Sequence, residues 1–428
     1  GWIIGIAVGS IILLVGVLMS VTMPKFKKMQ TLVDRLNLVS REILTGVPVI
    51  RAFSREKFEE ERFAGANEDL MRTQLFTSRV MSMMMPAMML IMNCITVMIV
   101  WFGAKGVDLG NLQVGDMMAF ITYTMQIVMA FLMITMVSVM LPRAGVAADR
   151  IEEVIHTQET ILDPEKPEDG SRENWRGEVA FEDVSFRYPG ADEDAICHIS
   201  FRAKPGQTTA IIGSTGCGKS TVLNLIPRFY DVTSGRVTMD GVDIRQMSQR
   251  KLRSLIGYVP QKGVLFSGTI ASNIGFAGNV SKEQIQEAAG IAQAQEFILE
   301  KEEQYDSAIS QGGTNVSGGQ KQRLSIARAI AKNPKVYLFD DSFSALDYKT
   351  DVALRKALGE KTKEASVIIV AQRISTILHA DQIIVLEEGA VAGIGTHREL
   401  MENCETYQEI AKSQLSEEEL VSQGGAGQ

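Results

Sequence analysis

Residues Gly213 to Ser220 read GSTGCGKS, and residues Val336 to Asp347 read VYLFDDSFSALD. In the first stretch Gly213, Gly216 and Gly218 alternate with Ser214, Thr215 and Cys217 and lead into Lys219, Ser220 and Thr221. This G-x-x-x-x-G-K-[ST] spacing suits phosphate. Glycines let backbone N–H groups approach the oxygens closely, Lys219 adds positive charge, and the Ser220 hydroxyl reaches a magnesium ion. The apolar TTAIIG before it reads as a strand. The spacing after it reads as a helix opened by Thr221, its positive end toward the anion. A chance glycine-rich turn would lack both flanks. In the second stretch four apolar residues end in Asp340 and Asp341. A carboxylate at the end of a buried strand is suited to hold Mg²⁺ together with the Ser220 hydroxyl, a role that fits Asp340 better than capping a helix. ATP and Mg²⁺ are the expected ligands, and Asp341 is left unexplained. Cys217 lies inside the loop, so a bulky thiol reagent is expected to block nucleotide binding.

The elements that carry these residues occupy only part of the chain. Its 428 residues exceed one ordinary domain. The first 145 residues hold most of the 22 methionines and three uncharged runs, 1–24, 80–104 and 117–142. Each is long enough for a transmembrane helix of ~20 residues. No charged segment precedes the first run, which argues against a signal peptide. Lys25, Lys27 and Lys28 close the first run, Arg79 opens the second, and Arg143 and Arg150 follow the third. The excess of positive charge places 25–79 and everything after 143 in the cytoplasm, with Gly1 outside. An odd number of spans with no leader points to a fragment whose earlier spans are missing.

Residues 25–79 keep helical spacing, with a break expected at TGVPVI, where Gly46 and Pro48 interrupt it. They form either a solvated connector or a lever touching another domain. Pro86 is expected to kink the second span. Met81, Met83, Met84, Met85, Met88 and Met89, with Met125, Met129, Met133, Met136 and Met140 in run three, suit either a promiscuous ligand surface or packing against lipid. Between Gly145 and Gly177 charge, Pro and Gly dominate. The expected division is 1–150 membrane domain, 151–176 linker, 177–415 α/β nucleotide domain and 416–428 flexible tail. Cys94, Cys197, Cys217 and Cys404 form no CxxC pair, so neither a disulfide framework nor a zinc site is expected. The net charge of −8 gives no sign of a nucleic-acid partner.

NVSGGQKQRLSIARAI, residues 315–330, sits between the two motifs. With it the chain resembles an ABC transporter of the exporter type, with an all-α membrane domain fused ahead of an α/β P-loop nucleotide domain. Ser317, Gly318, Gly319 and Gln320 match the family signature, with Val316 where leucine is usual. Tyr188 resembles the aromatic residue that stacks on adenine. Gln261 resembles the Q-loop glutamine that contacts Mg²⁺ and faces the membrane domain. SALD, ending in Asp347, resembles the D-loop. The resemblance covers essentially the whole chain, with the three spans corresponding to the last three of six. It implies that the REILTGVPVIRAF region carries a coupling helix docking on the partner. It also implies that two chains sandwich two ATP molecules, each P-loop closed by the other chain's signature. ATP would then favour one of two transport states, and hydrolysis would reset them.

Two positions depart from the family pattern. Asp341 stands where a glutamate usually acts as general base, one methylene short, a withdrawal of ~1.5 Å. A base must lie within about 2.6–3.2 Å of its proton, and its loss typically costs about 10²–10⁴-fold in rate. Gln372 stands where a histidine usually contacts the γ-phosphate. The pair resembles the degenerate subunit of bacterial heterodimeric multidrug exporters. The resemblance implies a slow ATPase at this chain's own site, a partner half-transporter, contact with membrane lipid, a plasma-membrane location and export of amphipathic compounds. Alternatives are a homodimeric lipid or peptide exporter with two slow sites, and an ATP-binding regulatory or channel-type protein. A soluble repair or translation member is disfavoured by the three spans.

Overall fold

The computed structural model describes residues 2–170 and 174–414, with backbone alone at 132, 135, 136, 138, 139, 141–143 and 146. The expectations for the side chains of Met136 and Arg143, the end of run three at Pro142, and the tail 416–428 lie outside the described residues. The chain divides into two compact units, Gly1–Gln158 and Glu159–Gln428.

The first unit is helical: α1 (Trp2–Ala52), α2 (Glu56–Ser82), α3 (Met84–Asp108) and α4 (Val114–Ile155). Run one lies along α1, run two crosses from the last residues of α2 into α3, and run three lies along α4, and three helical segments are long and apolar enough to cross a membrane. Its buried clusters are small. Ala7, Ile95 and Ile99 form one, and Ile11, Met88 and Val128 another. Most of the remaining apolar surface faces outward, including Met85, Met89, Met125, Met129 and Met133.

The break expected at TGVPVI is not there. Gly46 and Pro48 lie inside α1, which ends at Ala52. Packing along α2, with ion pairs Arg62–Glu42 and Arg35–Asp69, offsets the bond that Pro48 cannot make. The turn follows at Ser54, φ +52°, where the Arg55 N–H donates to the Ile50 carbonyl and the Ser54 N–H to Arg51. This is a Schellman cap with serine in the left-handed position that glycine usually fills, so glycine and proline pointed to the wrong residues. Pro86 leaves its mark at the boundary between α2 and α3. It offers no N–H to the Ser82 carbonyl, and the helix is interrupted there, at Met83.

The second unit contains β1 (Val179–Phe186), β2 (Ile196–Ala203), β3 (Thr208–Gly213), α5 (Lys219–Leu225), β4 (Ser234–Met239), β5 (Val242–Asp243), α6 (Gln249–Ser254) and β6 (Ile256–Val259). There follow β7 (Gly268–Thr269), α7 (Ile270–Ile274), α8 (Lys282–Ile291), α9 (Gln295–Leu299), β8 (Ala308–Ile309), α10 (Gly318–Ala331) and β9 (Val336–Asp340). The last are α11 (Tyr348–Lys361), β10 (Ser366–Val370), α12 (Ile374–Ile377), β11 (Gln382–Glu387), β12 (Ala390–Gly395), α13 (His397–Asn403) and α14 (Glu405–Gln414). The central sheet has the order β12-β11-β3-β10-β9-β6, parallel except for edge strand β12. Its inner strands are continuous apolar runs because both faces are covered. Alternate residues enter two different cores: Ala210, Ile212, Tyr337 and Phe339 enter one, Ile211, Val336 and Leu338 the other. The second core is shared with the antiparallel sheet β2-β1-β4-β5.

The connector begins later than residue 151. The last helix of the first unit continues past Gly145 and Arg150 to Ile155, because apolar spacing at Ile151, Val154 and Ile155 keeps the helix going. Beyond it, Asp169 accepts from the Ser248 N–H and hydroxyl at 2.8 and 2.6 Å. Asp163 accepts from the Gln249 N–H at 2.9 Å, and Arg228 donates to the Leu162 carbonyl at 3.1 Å. Asp163 and Asp169 are therefore anchors within the second unit.

Candidate functional site

Four adjacent parallel strands end on the same side, and each delivers part of the site. The P-loop follows β3, Gln372 follows β10, Asp340 closes β9 with Asp341 next to it, and Gln261 follows β6. Ligands of open α/β sheets bind beyond such carboxyl ends. The register fixes the arrangement. Val370 pairs with Asp340, and the Asp341 N–H donates to the Val370 carbonyl at 2.9 Å.

The P-loop leaves β3 where a Cβ on Gly213 would lie 2.1 Å from the Leu386 carbonyl oxygen. Gly218, φ +95°, caps α5 in the left-handed region, and a Cβ there would meet the Ile196 methyl at 2.5 Å. The helix therefore opens at Lys219, two residues before the expected Thr221. Lys219 is buried, its ammonium donating to the Gly213 and Ser214 carbonyls at 2.9 and 2.6 Å and lying 3.7 Å from Cys217 Sγ. The Thr221 hydroxyl is 3.1 Å from that of Tyr188, whose ring meets Tyr230 edge-on. Tyr188 is thus tied to the P-loop helix.

Ser220 Oγ donates to Asp340 Oδ1 at 3.0 Å, linking the P-loop to the end of β9. Both aspartates are buried. Burial pushes the Asp340 carboxyl up from the ordinary aspartate value. The Asp341 charge adds to this, while the Ser220 hydrogen bond and the Lys219 charge oppose it. Such a carboxylate, beside a hydroxyl, suits a hard cation that takes the rest of its oxygen shell from water and phosphate. Among the described residues no group of three or more His, Cys, Asp or Glu forms a protein-only metal cage.

Asp341 sits at φ +45°, a region that aspartate visits more readily than most residues. Its Oδ2 accepts a long bond, 3.4 Å, from Gln261 Nε2. Gln372 is exposed, and its carbonyl accepts from Gln414 Nε2 at 2.9 Å. Two neighbours carry no sequence signal. Tyr258 donates to Asn224 at 3.2 Å, and burial, with the Asp340 charge, raises its hydroxyl to about 12.

The signature forms a separate surface. Ser317 caps α10, its hydroxyl accepting from the Gln320 N–H at 3.3 Å while Gln320 Oε1 accepts from the Ser317 N–H at 3.0 Å. SGGQ is therefore a capping box. Ser317 and Gly318 are exposed, and α10 packs on α7, α8 and β6. Asp347 caps α11, accepting from the Thr350 N–H at 3.0 Å. That hydroxyl-bearing partner, and the nearby N–H, hold its carboxyl below the usual value.

This fold and site define an ABC-type nucleotide domain fused to a helical membrane domain. Residues 1–131 match the family described as "ABC transporter transmembrane region" and residues 196–344 that described as "ABC transporter". The chain is 44% identical over 396 residues to an uncharacterised ABC transporter ATP-binding protein of Mycobacterium tuberculosis, covering 92% of this chain and 68% of that one. It is 40% identical over 394 residues to the ABC transporter ATP-binding protein YfiB of Bacillus subtilis, with coverage of 92% and 68%. The structure of a bacterial Atm1-family ABC exporter with ATP bound is similar, with TM-score 0.82 and 30% identity over 96% of this chain and 72% of that one. The chain belongs to the ABC transporters of exporter architecture. It is a multi-pass membrane protein with a cytoplasmic nucleotide domain, and its activity is ATP-driven transport.

Proposed function

We propose that this chain is one half of a heterodimeric exporter of amphipathic compounds, and that its own P-loop site binds ATP but hydrolyses it slowly. In this reading residues 1–150 supply part of the transport path and residues 177–415 the cassette. Tyr188 takes the adenine, and the loop from Gly213 to Thr221 takes the phosphates. Ser220, Asp340 and Gln261 hold Mg²⁺, which supplies charge neutralisation at the phosphates when bound. Asp341 and Gln372 occupy the base and switch positions. Ser317, Gly318, Gly319, Gln320 and Asp347 close the partner's site.

One observation carries the reading: the two departures lie together. Asp341 hangs by its N–H from the last residue of β10, two residues before Gln372. A shortened carboxylate and a side chain that cannot carry a proton's charge therefore follow adjacent strands beside one intact P-loop. The Gln261 bond further engages Asp341, leaving one less free lone pair for a water. The exposed signature needs a second chain to act on phosphate. The outward methionines and aliphatic side chains of the membrane unit favour an amphipathic substrate.

The test is a pair of changes in the assembled transporter. Ser317→Arg is expected to lower ATP turnover by about 10²-fold or more, the scale set by losing a phosphate-stabilising donor surface. Asp341→Asn is expected to lower it less than about threefold, since its carboxylate is not the working base. The reverse ranking sinks the reading. Full transport-coupled turnover by this chain without a partner would favour a homodimer.

A further inference from the structure

The segment after β10 has a bonding problem that its own sequence does not solve. The helix α12 is only Ile374–Ile377, and its N-cap, Arg373, makes no side-chain cap. The Ile374 N–H, an orphan donor at a helix start, and the Gln372 carbonyl, just past the strand, both need partners. One distant side chain serves both. Gln414 Oε1 accepts from the Ile374 N–H at 2.9 Å, and Gln414 Nε2 donates to the Gln372 carbonyl at 2.9 Å. The orientation of that amide is unambiguous, since an N–H only donates and a carbonyl only accepts.

The bracket is held from behind. Gln414 ends α14, whose Tyr407 and Ala411 are fully buried. The Tyr407 hydroxyl lies 2.7 Å from His397 Nδ1, and the Thr406 hydroxyl donates to Glu387 at 2.8 Å. On the other side, the Ala371 N–H donates to the Ile211 carbonyl at 3.1 Å. Gln372 is therefore pinned to the sheet through Ala371 and to α14 through its own carbonyl and Ile374. Its side chain is exposed and makes no hydrogen bond of its own among the described residues, so its aim depends on its backbone.

We propose that Gln414 is a positioning residue: it fixes the backbone of Gln372 so that this side chain points at the nucleotide, making α14 a working part of the site. The proposal rests on the reading of Gln372 as the residue facing the γ-phosphate. It follows that loss of Gln414 should weaken recognition of the γ-phosphate without touching the rest of the nucleotide.

The experiment measures Mg²⁺–ATP and Mg²⁺–ADP dissociation constants at this chain's site in the assembled, full-length transporter. Gln414→Met keeps length and removes both bonds. It is expected to weaken ATP about fivefold, the scale of one or two neutral hydrogen bonds, and leave ADP within about twofold. Gln372→Ala is expected to do the same, and the double variant to be no worse than either single one. Gln414→Glu keeps the acceptor for Ile374 but cannot donate to Gln372 when ionised, and should follow Gln414→Met. It also serves as the reporter if the methionine variant does not fold. Equal weakening of ATP and ADP, or additive losses in the double variant, would overturn the proposal by reducing Gln414 to a structural contact. If Gln372→Ala acts and Gln414→Met and Gln414→Glu do not, the proposal alone fails. If Gln372→Ala leaves the ATP-to-ADP ratio unchanged, the reading of Gln372 fails and the proposal with it.

Discussion

At the P-loop end of the sheet, chemistry is carried by side chains gathered from separate strand ends: Lys219 and Ser220 follow β3, Asp340 and Asp341 stand at the end of β9, and the Ser220 hydroxyl donates to Asp340 between them. At the start of α10, four consecutive residues form an exposed capping box. The first region depends on the folding of a whole sheet, and each substitution there alters its neighbours through burial and charge. The second is local, since four residues and one helix suffice. The difference explains how one chain can carry a weakened site beside an intact signature. Changing Asp341 or Gln372 leaves the capping box of SGGQ intact, because both of its hydrogen bonds are made within those four residues.

The widest contrast comes from repairing the weakened region. With Ser317→Arg silencing the site that this chain's signature closes, Asp341→Glu with Gln372→His should raise the residual ATP turnover about 10²-fold, the lower range for a general base. No gain would break the contrast between the two regions. Next is Gly218→Ala, which forces a Cβ into a left-handed residue and against Ile196. Nucleotide binding should fall at least about tenfold, and unfolding free energy by about 1 kcal/mol or more. Dissociation constants and denaturant midpoints check both. At the signature, Ser317→Ala should cost about 1 kcal/mol through the lost cap, whereas Ser317→Asp should retain most of it. Equal melting temperatures for both variants would show that the box does not matter to α10.

The smallest effect is in pH. Because Asp340 is raised in the folded state, its contribution to stability is fully present below the unfolded value and is lost as pH rises through the folded value. Asp340→Asn removes that loss. The melting temperature of the variant relative to the parent, measured in chelator, should therefore climb as pH rises from the acid range toward neutrality. A flat difference would mean that burial does not perturb this carboxyl.

Much of this was legible beforehand, for identifiable reasons. GSTGCGKS between a strand and a helix, and a buried strand ending in two aspartates, are local patterns whose chemistry follows from spacing. The long uncharged runs and their lysine and arginine flanks located the membrane helices in the same way. Local patterns also failed. Gly46 and Pro48 suggested a break that the helix passes through, because lateral packing outweighed propensity and Ser54 took the turn instead. The connector was read only as a link between domains, and nothing in its spacing marked Asp163 and Asp169 as anchors.

The phosphate loop, the two acids after an apolar strand, the membrane runs and the two departures could all be read from residue order, since each is a matter of residue type within a few positions. It took the folded chain to show that Val370 joins the two departures, that Ser220 meets Asp340 across 120 positions, and that Gln414 brackets Gln372 from 42 positions away. Such contacts arise from strand order and helix packing, and a hydrogen bond between distant residues leaves no period or spacing in the sequence to read.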